Sequence, residues 1–433
     1  MDADRDLPRV LVVGAGFGGL SAAAALADAP VRVTLVDRRN YHLFQPLLYQ
    51  VATAALSPGD IAWPVRRVLR GQDNLEVRMG GARGVDLERR RVDVDGVALD
   101  YDYLVLAPGV THAYFGHDQW AEHAPGLKSI EDATRIRRHI LMAFEQAELS
   151  ADERERERYM TFVIVGGGPT GVEMAGAISE LARKALRRDF RHIDPSKARV
   201  VLVEAAHEVL PAFRDDLASF AHRALRRLGV EVLVGDPITA CDARGVALGE
   251  RRIDAATVIW AAGVAAPALI TELPVPHDQA GRVAVSADLS VPGHPEVFVV
   301  GDAASVLADD GSPVPGVAPA AKQQGRHAAR VIRARLAGDD AELAFRYRDP
   351  GSLATIGRRA AVIDFGRFAL KGWLAWWVWG FAHIYFLIGM RNRLAVALNW
   401  LWNYVWFESG ARLITGETAA DRVEAVHRGR ADE

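Results

Sequence analysis

The 433-residue chain contains a single cysteine, Cys241. A lone cysteine excludes an internal disulfide, a CxxC redox pair and a cysteine-rich metal site, so we expect an inert, partly buried thiol and no metal. Neither sign of charge is in large excess, with 52 lysines and arginines against 55 aspartates and glutamates. The formal net charge is −3 at pH 7, which gives a nucleic-acid partner no support. No apolar segment precedes the first strand-like run, Val10 to Val13, so we expect no secretory signal.

A glycine-rich pattern begins close to the N-terminus. The strand-like run Arg9–Val13 leads into a GxGxxG loop, residues 14–19, then an alanine-rich helical run and a second strand that ends near Asp37. In such a unit the glycines permit the tight turn, the approach of a pyrophosphate and close helix–strand packing. The helix N-terminus attracts phosphate. Asp37, 18 residues after Gly19, is placed to bind ribose hydroxyls.

The same pattern returns about 150 residues later in the chain. A strand-like run, residues 161–165, precedes the loop 166–171, a predicted helix Val172–Arg187 and a strand that ends at Glu204. One GxGxxG loop can serve plain packing, but two complete units predict an α/β protein with two Rossmann-type dinucleotide-binding domains. A carboxylate at Glu204 favours two ribose hydroxyls over a 2′-phosphate, which predicts NADH rather than NADPH.

Other runs complete the two predicted domains. Strand-like runs lead to Gly109, Gly263 and Asp302, and an acid at the last of these strand ends could accept hydrogen bonds from the ribityl chain of a flavin. A charged helical stretch is predicted over 130–158, and another helix from Pro319 to Leu336. We expect an FAD-binding domain in two parts, residues 1–120 and 286–345, with an NADH-binding domain, residues 121–285, between them. A C-terminal membrane-associating helical region with a polar tail follows, residues 346–433.

Tryptophan is concentrated near the C-terminus, where seven of the ten lie between Trp373 and Trp406. Residues 372–390 carry no formal charge, and Arg391 and Arg393 separate them from a second apolar run, Leu394 to Phe407. Because a bilayer span needs about 20 apolar residues, one span remains an alternative, as does a soluble core or dimer interface. Interfacial tryptophans and two halves split by arginines favour a pair of helices lying in the headgroup plane.

Together these residues resemble the type II NADH dehydrogenases, the non-proton-pumping NADH:quinone oxidoreductases, from Val10 to about Ile414. The most specific runs are residues 40–50, 166–177 and 355–393. The resemblance implies FAD on the first loop, NADH on the second, a quinone, a lipid membrane surface and a homodimer, with peripheral, monotopic attachment at the cytoplasmic face of the cell (inner) membrane. The candidate cofactor-binding residues are Gly14, Gly16, Phe17, Gly18, Gly19, Asp37, Arg38, Gln45, Gly109, Gly166, Gly167, Gly168, Pro169, Thr170, Gly171, Glu204, Gly263 and Asp302.

The resemblance also implies three catalytic residues: Glu173, Lys322 and Gln323. Glu173 matches a glutamate near the nicotinamide and the flavin; the alternative is a first-turn carboxylate that stabilises the helix dipole by about 0.3–1 kcal/mol. The family's AQxAxQxG quinone motif corresponds to residues 318–325, where Pro319 replaces the first glutamine and Gln323 matches the second. Lys322 fills a variable position, where it either points to solvent or stabilises a reduced quinone.

The expected reaction is hydride transfer from nicotinamide to flavin, then two-electron transfer to a quinone near Glu173 and Gln323, without ion pumping. Flavin disulfide reductases and sulfide:quinone oxidoreductases need cysteines that Cys241 alone cannot supply. Reduction of an iron–sulfur or rubredoxin partner stays open, although it leaves the aromatic C-terminus unexplained. A flavin-bearing redox sensor or membrane scaffold is the non-enzymatic alternative.

Overall fold

The computed structural model describes residues 7–339, 343–406 and 411–415. The predicted polar tail, residues 418–433, and Phe407 lie outside these ranges. The helices are α1 (Phe17–Ala25), α2 (Leu48–Ala52), α3 (Pro58–Ile61), α4 (Val65–Val68), α5 (Ile130–Leu149), α6 (Glu153–Tyr159), α7 (Pro169–Glu180), α8 (Asp215–Arg227), α9 (Ala268–Thr271), α10 (Ala318–Leu336), α11 (Trp373–Phe386) and α12 (Met390–Trp406).

The strands fall into three stretches of the chain. The first holds β1 (Arg9–Val13), β2 (Arg32–Asp37), β3 (Tyr41–Leu43), β4 (Ala62–Pro64), β5 (Leu75–Met79), β6 (Ala82–Asp86), β7 (Arg91–Val94), β8 (Val97–Asp100), β9 (Tyr103–Leu106) and β10 (Thr111–His112). The second holds β11 (Thr161–Val165), β12 (Arg199–Glu204), β13 (Val230–Val234), β14 (Ala240–Asp242), β15 (Gly245–Leu248), β16 (Arg251–Asp254), β17 (Thr257–Trp260) and β18 (Val264–Ala265). The third holds β19 (Val283–Ala284), β20 (Ser290–Val291), β21 (His294–Val299), β22 (Ala304–Ser305), β23 (Ser352–Thr355), β24 (Ala361–Asp364) and β25 (Ala369–Gly372).

Two doubly wound sheets form the body of the protein. The first has the order β20-β21-β9-β1-β2-β5, and its strands are parallel except for the edge strand β20. The second is wholly parallel, in the order β13-β12-β11-β17. The strand order reverses at β1 in one sheet and at β11 in the other. Ligands bind beyond the carboxyl ends of strands at such switch points, and each of these two strands runs into one of the glycine loops.

Both helices that follow the loops begin earlier than the helical runs predicted from the sequence, Leu20–Ala27 and Val172–Arg187. α1 starts at Phe17 and α7 at Pro169, a residue whose fixed φ suits the first helical position. α7 keeps regular α geometry only to Glu180 and continues as a π-helical turn, residues 181–185, so the predicted helix to Arg187 is too long. The charged stretch 130–158 is two helices, α5 and α6, because the chain is extended at Ser150 and Asp152.

The C-terminal part packs directly against α7. β23, β24 and β25 form an antiparallel meander. A Cβ on Gly176 of α7 would lie 2.9 Å from the backbone nitrogen of Gly357, in the turn between β23 and β24, so only glycine permits this approach. This close contact fixes the meander over the buried face of α7.

The aromatic segment forms two helices, as predicted, but the break between them is not at the arginines. α11 ends at Phe386, and the chain turns through Gly389 at φ +85°. Arg393 lies in α12 and binds back to α11, because its guanidinium donates to the carbonyls of Leu387 and Tyr385 at 2.8 Å each. Among the described helices, none is both long enough and apolar enough to cross a membrane.

Each of these two helices has a buried and an exposed face. Trp379 is buried, and its ring stacks on that of Trp400 at 5.1 Å between centroids. The opposite faces expose large apolar side chains at a spacing of four residues. They are Trp373, Trp377, Phe381 and Tyr385 on α11, and Met390, Leu394, Leu398 and Trp402 on α12. We call these eight residues the apolar stripes.

Candidate active site

The first glycine loop is closed by Asp37. Gly14 has φ +102°, and a Cβ there would lie 2.2 Å from the carbonyl oxygen of Ala107. The Asp37 carboxylate accepts hydrogen bonds from the backbone N–H of Ala15 at 2.6 Å and of Arg39 at 2.7 Å. The acid at the end of β2 therefore fixes the shape of the loop that follows β1.

The second loop repeats this arrangement with Glu204. Gly166 has φ +106°, and the Glu204 carboxylate accepts from the backbone N–H of Gly167 at 2.5 Å and of Ala206 at 2.7 Å. A Cβ on Gly167 would lie 2.9 Å from that of Glu204, so this glycine is required by the acid and not only by the turn. In each loop the last glycine, Gly19 or Gly171, packs where a Cβ would lie 1.8 Å from the first glycine's carbonyl oxygen.

Both loops fit the phosphates of a dinucleotide. Gly16 and Gly168 are the N-cap residues of α1 and α7, and neither helix has a side-chain cap or an acid in its first turn. A Cβ on either glycine would have no neighbouring atom within 4 Å. The chain thus keeps open space in front of two uncapped helix N-termini, where a pyrophosphate is stabilised by N–H groups and the helix dipole.

The turns after β9 and β17 are joined to each other. Gly109 and Gly263 have φ +73° and +77°, and each turn leads into a short strand, β10 or β18. These two strands pair antiparallel, Thr111 opposite Ala265. The pairing links the two nucleotide-binding sheets through the turns that the sequence had singled out.

Asp302 lies just beyond β21, facing a lysine that the sequence analysis did not single out. Burial raises the pKa of Asp302, while the charges of Lys128 and Arg282 oppose that rise. Burial also lowers the pKa of Lys128. Gln45 reaches the same place, because its Nε2 donates to the backbone carbonyl of Lys128 at 3.2 Å. Lys128 is therefore an additional candidate for the cofactor site, and no motif in the sequence marks it.

Phe17 and Arg38, the other two candidates near the first loop, have different surroundings. The Phe17 ring meets the His42 ring edge-on at 4.9 Å, whereas Arg38 is exposed after β2. His42 is buried and its Nδ1 lies 2.8 Å from the carbonyl oxygen of Ala15, so Nδ1 carries the proton. Burial lowers the pKa of His42 to about 4, and the ring is neutral at physiological pH. His42 thus supports the loop as a neutral hydrogen-bond donor.

Glu173 is buried on the fifth residue of α7, beyond the first turn, so the alternative of a dipole-stabilising carboxylate in the first turn is wrong. The nearest donor is the backbone N–H of Thr355 in β23, at 3.4 Å. Burial raises the pKa of Glu173 to about 8, against this single weak hydrogen bond. At pH 7 the side chain is therefore a neutral acid that can give up a proton.

A cavity of about 80 Å³ lies beside Glu173. Its walls come from α2, α7, the turn after β23 and the two aromatic helices. The polar and aromatic side chains that line it belong to Tyr49, Gln50, Thr53, Glu173, Glu180, Thr355, Arg358, Trp376, Trp379 and Trp400. Tyr49 and Gln50 belong to the specific sequence run 40–50. No spacing rule could connect them with cavity residues that lie about 300 positions later in the chain.

Lys322 does not point freely to solvent. Its Nζ lies 5.2 Å from the ring centroid of Phe17 and 5.0 Å from that of Phe386, and burial lowers its pKa. The cation therefore bridges the first glycine loop and the end of α11. Cation–π contacts of this kind contribute about 0.5–2 kcal/mol each.

The two glutamines next to it have separate partners. Gln323 is bound to the backbone of Arg348, donating to its carbonyl at 2.8 Å and accepting from its N–H at 2.9 Å. Gln324, treated as a variable position in the sequence, is buried and accepts from the N–H of Gly301 at 2.6 Å. Neither Gln323 nor Lys322 lines the cavity at Glu173. Pro319 lies in the first turn of α10. Backbone N–H groups at this position have no partner within the helix, so the missing N–H costs no hydrogen bond.

The chain matches two known families in succession. Residues 8–325 match the pyridine nucleotide-disulphide oxidoreductases. Residues 350–406, which hold the meander and the aromatic helices, match the NDH2 C-terminal domain. Cys241 of β14 is buried, and burial raises the pKa of its thiol to about 11, so this residue offers no disulfide chemistry.

Relatives extend over almost the full length. The type II NADH:quinone oxidoreductase Ndh of Mycobacterium tuberculosis is 44% identical over 96% of this chain and 92% of its own. The type II NADH:quinone oxidoreductase of Staphylococcus haemolyticus is 31% identical over 84% of this chain and 91% of its own. The structure of NDH2 from Plasmodium falciparum in complex with NADH has a TM-score of 0.85 over 94% of this chain and 100% of that chain, and at 21% identity it shows a shared fold. The chain therefore belongs to the type II NADH:quinone oxidoreductases, within the pyridine nucleotide-disulphide oxidoreductase family.

Proposed function

We infer that this protein transfers two electrons from NADH to a quinone, with FAD as the carrier and without ion pumping. The observation that carries this inference is the pair of acid-closed glycine loops on one chain, each in front of an uncapped helix N-terminus. FAD, when bound, accepts a hydride from NADH and passes two electrons on. The protein supplies position, electrostatics and a proton.

We assign the first loop to FAD and the second to NADH. Asp37 and Glu204 each present a carboxylate at the end of the second strand of their unit, where the two hydroxyls of a ribose can be bound. Glu204 is expected to repel a 2′-phosphate, which favours NADH. Asp302 and Lys128 are partly buried groups of opposite charge that act on each other, and we propose that they hold the polar part of the flavin.

We propose that Glu173 is the proton donor to the reduced quinone. Its buried carboxyl is protonated at pH 7, and it faces a cavity whose other wall is formed by α11 and α12. Quinone reduction to quinol needs two electrons and two protons. One proton is carried with the hydride of NADH, and the second must come from solvent through the protein. The roles of Lys322 and Gln323 at the quinone remain part of this proposal, with Lys322 next to the ring of Phe386 on the aromatic segment.

The apolar stripes support a peripheral, monotopic attachment to a membrane surface. They place exposed tryptophan, phenylalanine and leucine side chains on one face of each aromatic helix. Such a face enters the headgroup region, and a lipophilic quinone is available there. NADH is in the aqueous phase, so we propose the cytoplasmic face of the cell membrane. A homodimer that pairs through this segment is part of the same proposal, as is a division of the chain at residues 120, 285 and 345.

Anaerobic stopped-flow spectroscopy of the purified holoenzyme tests the function. NADH should bleach the visible absorbance of the flavin as it accepts the hydride, and a short-chain quinone should restore it. NADPH should act more slowly than NADH. If NADH reduces the flavin but no quinone reoxidises it, the quinone reductase assignment fails and a sensor or scaffold role takes its place.

A further inference from the structure

A second buried carboxylate lines the cavity at Glu173. Glu180 lies seven residues further along α7, on the same face of the helix, and is buried to a similar degree. At a rise of about 1.5 Å per residue the two positions are roughly 10 Å apart along the axis. Both residues contribute to the same cavity wall. The cavity therefore runs along α7 from one acid to the other.

The surroundings of the two acids differ. Within the described part of the chain, Glu173 has one weak backbone hydrogen bond, whereas Glu180 lies next to two cations. Its carboxylate accepts from the backbone N–H of Arg358 at 3.2 Å and lies 3.6 Å from the Nε of that residue. The Nζ of Lys184, whose side chain is 39% exposed, lies 3.9 Å away. Glu180 is thus the member of the pair that lies next to cations, one of which is partly exposed.

Polar groups border the space between the acids. The hydroxyl of the buried Tyr49 accepts from Nε2 of Gln50 at 2.9 Å, and Gln50 in turn accepts from the indole N–H of Trp400 at 2.8 Å. The charges of both Glu173 and Glu180 act on Tyr49, so its hydroxyl lies within electrostatic reach of each. The indole nitrogen of Trp379 is buried without a hydrogen-bond partner among the described residues and belongs to the same cavity wall.

The cavity is large enough for a proton path. One water needs about 10–15 Å³ of such cavity space, so the volume of about 80 Å³ accommodates at least two waters. A proton moves between oxygens about 2.7–2.8 Å apart. Two waters and the Tyr49 hydroxyl therefore span much of the roughly 10 Å between the two helix positions, and the reach of the two side chains covers the rest.

We propose that Glu180 is a proton-positioning residue that receives protons at the Lys184–Arg358 rim and passes them through the cavity to Glu173. The proposal rests on the proposed function, because it assigns the route of the solvent proton in quinone reduction. In each cycle Glu173 releases one proton to the reduced quinone. A proton from Glu180 replaces it along the water path, and Glu180 is reprotonated from bulk solvent. The sum is NADH plus one proton plus quinone giving NAD⁺ and quinol.

Charge around Glu180 is suited to this task. Burial raises the pKa of Glu180, and the opposing charges of Arg358, Lys184 and Arg359 limit the rise. These cations and Tyr49 are the titratable and charged groups that face it. Burial therefore favours the protonated form of Glu180, and the cations favour its carboxylate. The alternative is a purely structural role, in which Glu180 only holds the turn after β23 against α7.

The test separates the two half-reactions of the FAD-loaded enzyme in stopped flow. For E180Q we expect flavin reduction by NADH within about twofold of wild type, and at least tenfold slower reoxidation by a short-chain quinone. The deficit should grow with pH, and the solvent deuterium isotope effect on reoxidation should rise. E180D keeps a carboxyl group and should recover most of the rate with the wild-type pH profile. E145Q, at an exposed glutamate of α5, is the matched control and should leave both steps unchanged.

Several results would overturn the proposal. Wild-type reoxidation and an unchanged isotope effect in E180Q would do so, and so would equal slowing of both half-reactions. E180D as slow as E180Q would show that the residue acts by shape or packing. If E180Q does not fold, the pH profile of reoxidation in E180D decides the question. A wild-type profile supports the proton-transfer role, and a different profile contradicts it. Failure of the proposed function is distinct, since wild-type enzyme would then not be reoxidised by quinone at all.

Discussion

Replacing Glu173 by glutamine should stabilise the folded enzyme, and by more at alkaline pH than at acid pH. Burial raises the pKa of this carboxyl from 4.5 to about 8. Below pH 4.5 the folded and unfolded chains are both protonated, so burial has no pH-dependent cost. Between pH 4.5 and 8 only the unfolded chain loses its proton, and the wild type loses stability as pH rises. Above pH 8 the loss is complete.

The size of the effect follows from the two pKa values. At 1.36 kcal/mol per pH unit, the interval from 4.5 to about 8 corresponds to about 5 kcal/mol at pH 8.5 and about 1.4 kcal/mol at pH 5.5. Glutamine resembles the protonated carboxyl and does not titrate. For 433 residues the entropy of unfolding is about 0.9 kcal/mol/K, taken as about 2.1 cal/mol/K for each residue. The difference of about 3–4 kcal/mol thus corresponds to about 3–4 °C.

Differential scanning fluorimetry of the FAD-loaded proteins measures this effect. The Tm of E173Q minus that of wild type should be about 3–4 °C larger at pH 8.5 than at pH 5.5. E145Q makes the same chemical change at the surface and serves as the control. The difference between its Tm and that of wild type should not depend on pH. An E173Q difference that is equal at both pH values would refute the burial argument, because a carboxyl in contact with solvent titrates alike in both states.

Three further outcomes are expected. Gly171→Ala should abolish flavin reduction by NADH while the protein still binds FAD, whereas Gly19→Ala should lose the flavin. In each variant the new Cβ would lie 1.8 Å from a carbonyl oxygen. Flavin content and the rate of bleaching by NADH test the two variants. Glu204→Ala should leave two backbone N–H groups unpaired and cut the preference for NADH over NADPH by at least tenfold in kcat/KM, at about 1.5–3 kcal/mol per charge-assisted hydrogen bond; an unchanged ratio would contradict its role. Trp377→Glu together with Phe381→Glu should weaken vesicle flotation at least tenfold with NADH-driven bleaching intact, and full flotation would argue against the apolar stripes as the membrane contact.

The nucleotide loops could be predicted from the sequence because local rules determine them. A glycine with φ above +100°, a close helix–strand contact and an acid at the next strand end each leave a mark at a fixed spacing, as at Gly14, Gly19 and Asp37. The sequence could not show that Gly167 makes room for Glu204, since that contact joins two strands of the folded sheet.

Contacts between residues far apart in the chain could not be predicted from the sequence. The sequence left open whether Lys322 points to solvent or to a quinone, and it did not show that Lys322 lies between the rings of Phe17 and Phe386, which come from opposite ends of the chain. The helix break expected at Arg391 and Arg393 falls earlier, because Gly389 adopts a left-handed conformation that the charges do not signal. Tyr49 and Glu180 meet at one cavity only because α2, α7 and the meander pack together.

The contact between Thr355 and Glu173 has a further consequence. All the candidate dinucleotide-binding residues lie before residue 325, yet the backbone N–H that contacts Glu173 comes from β23, in the appended segment after residue 350. A chain without this segment would keep both glycine loops but lose one wall of the cavity at Glu173, and less burial means a smaller rise in the pKa of the carboxyl. The appended segment therefore does more than locate the enzyme at a surface. It also forms part of the wall of the cavity at a buried acid whose pKa burial raises to about 8.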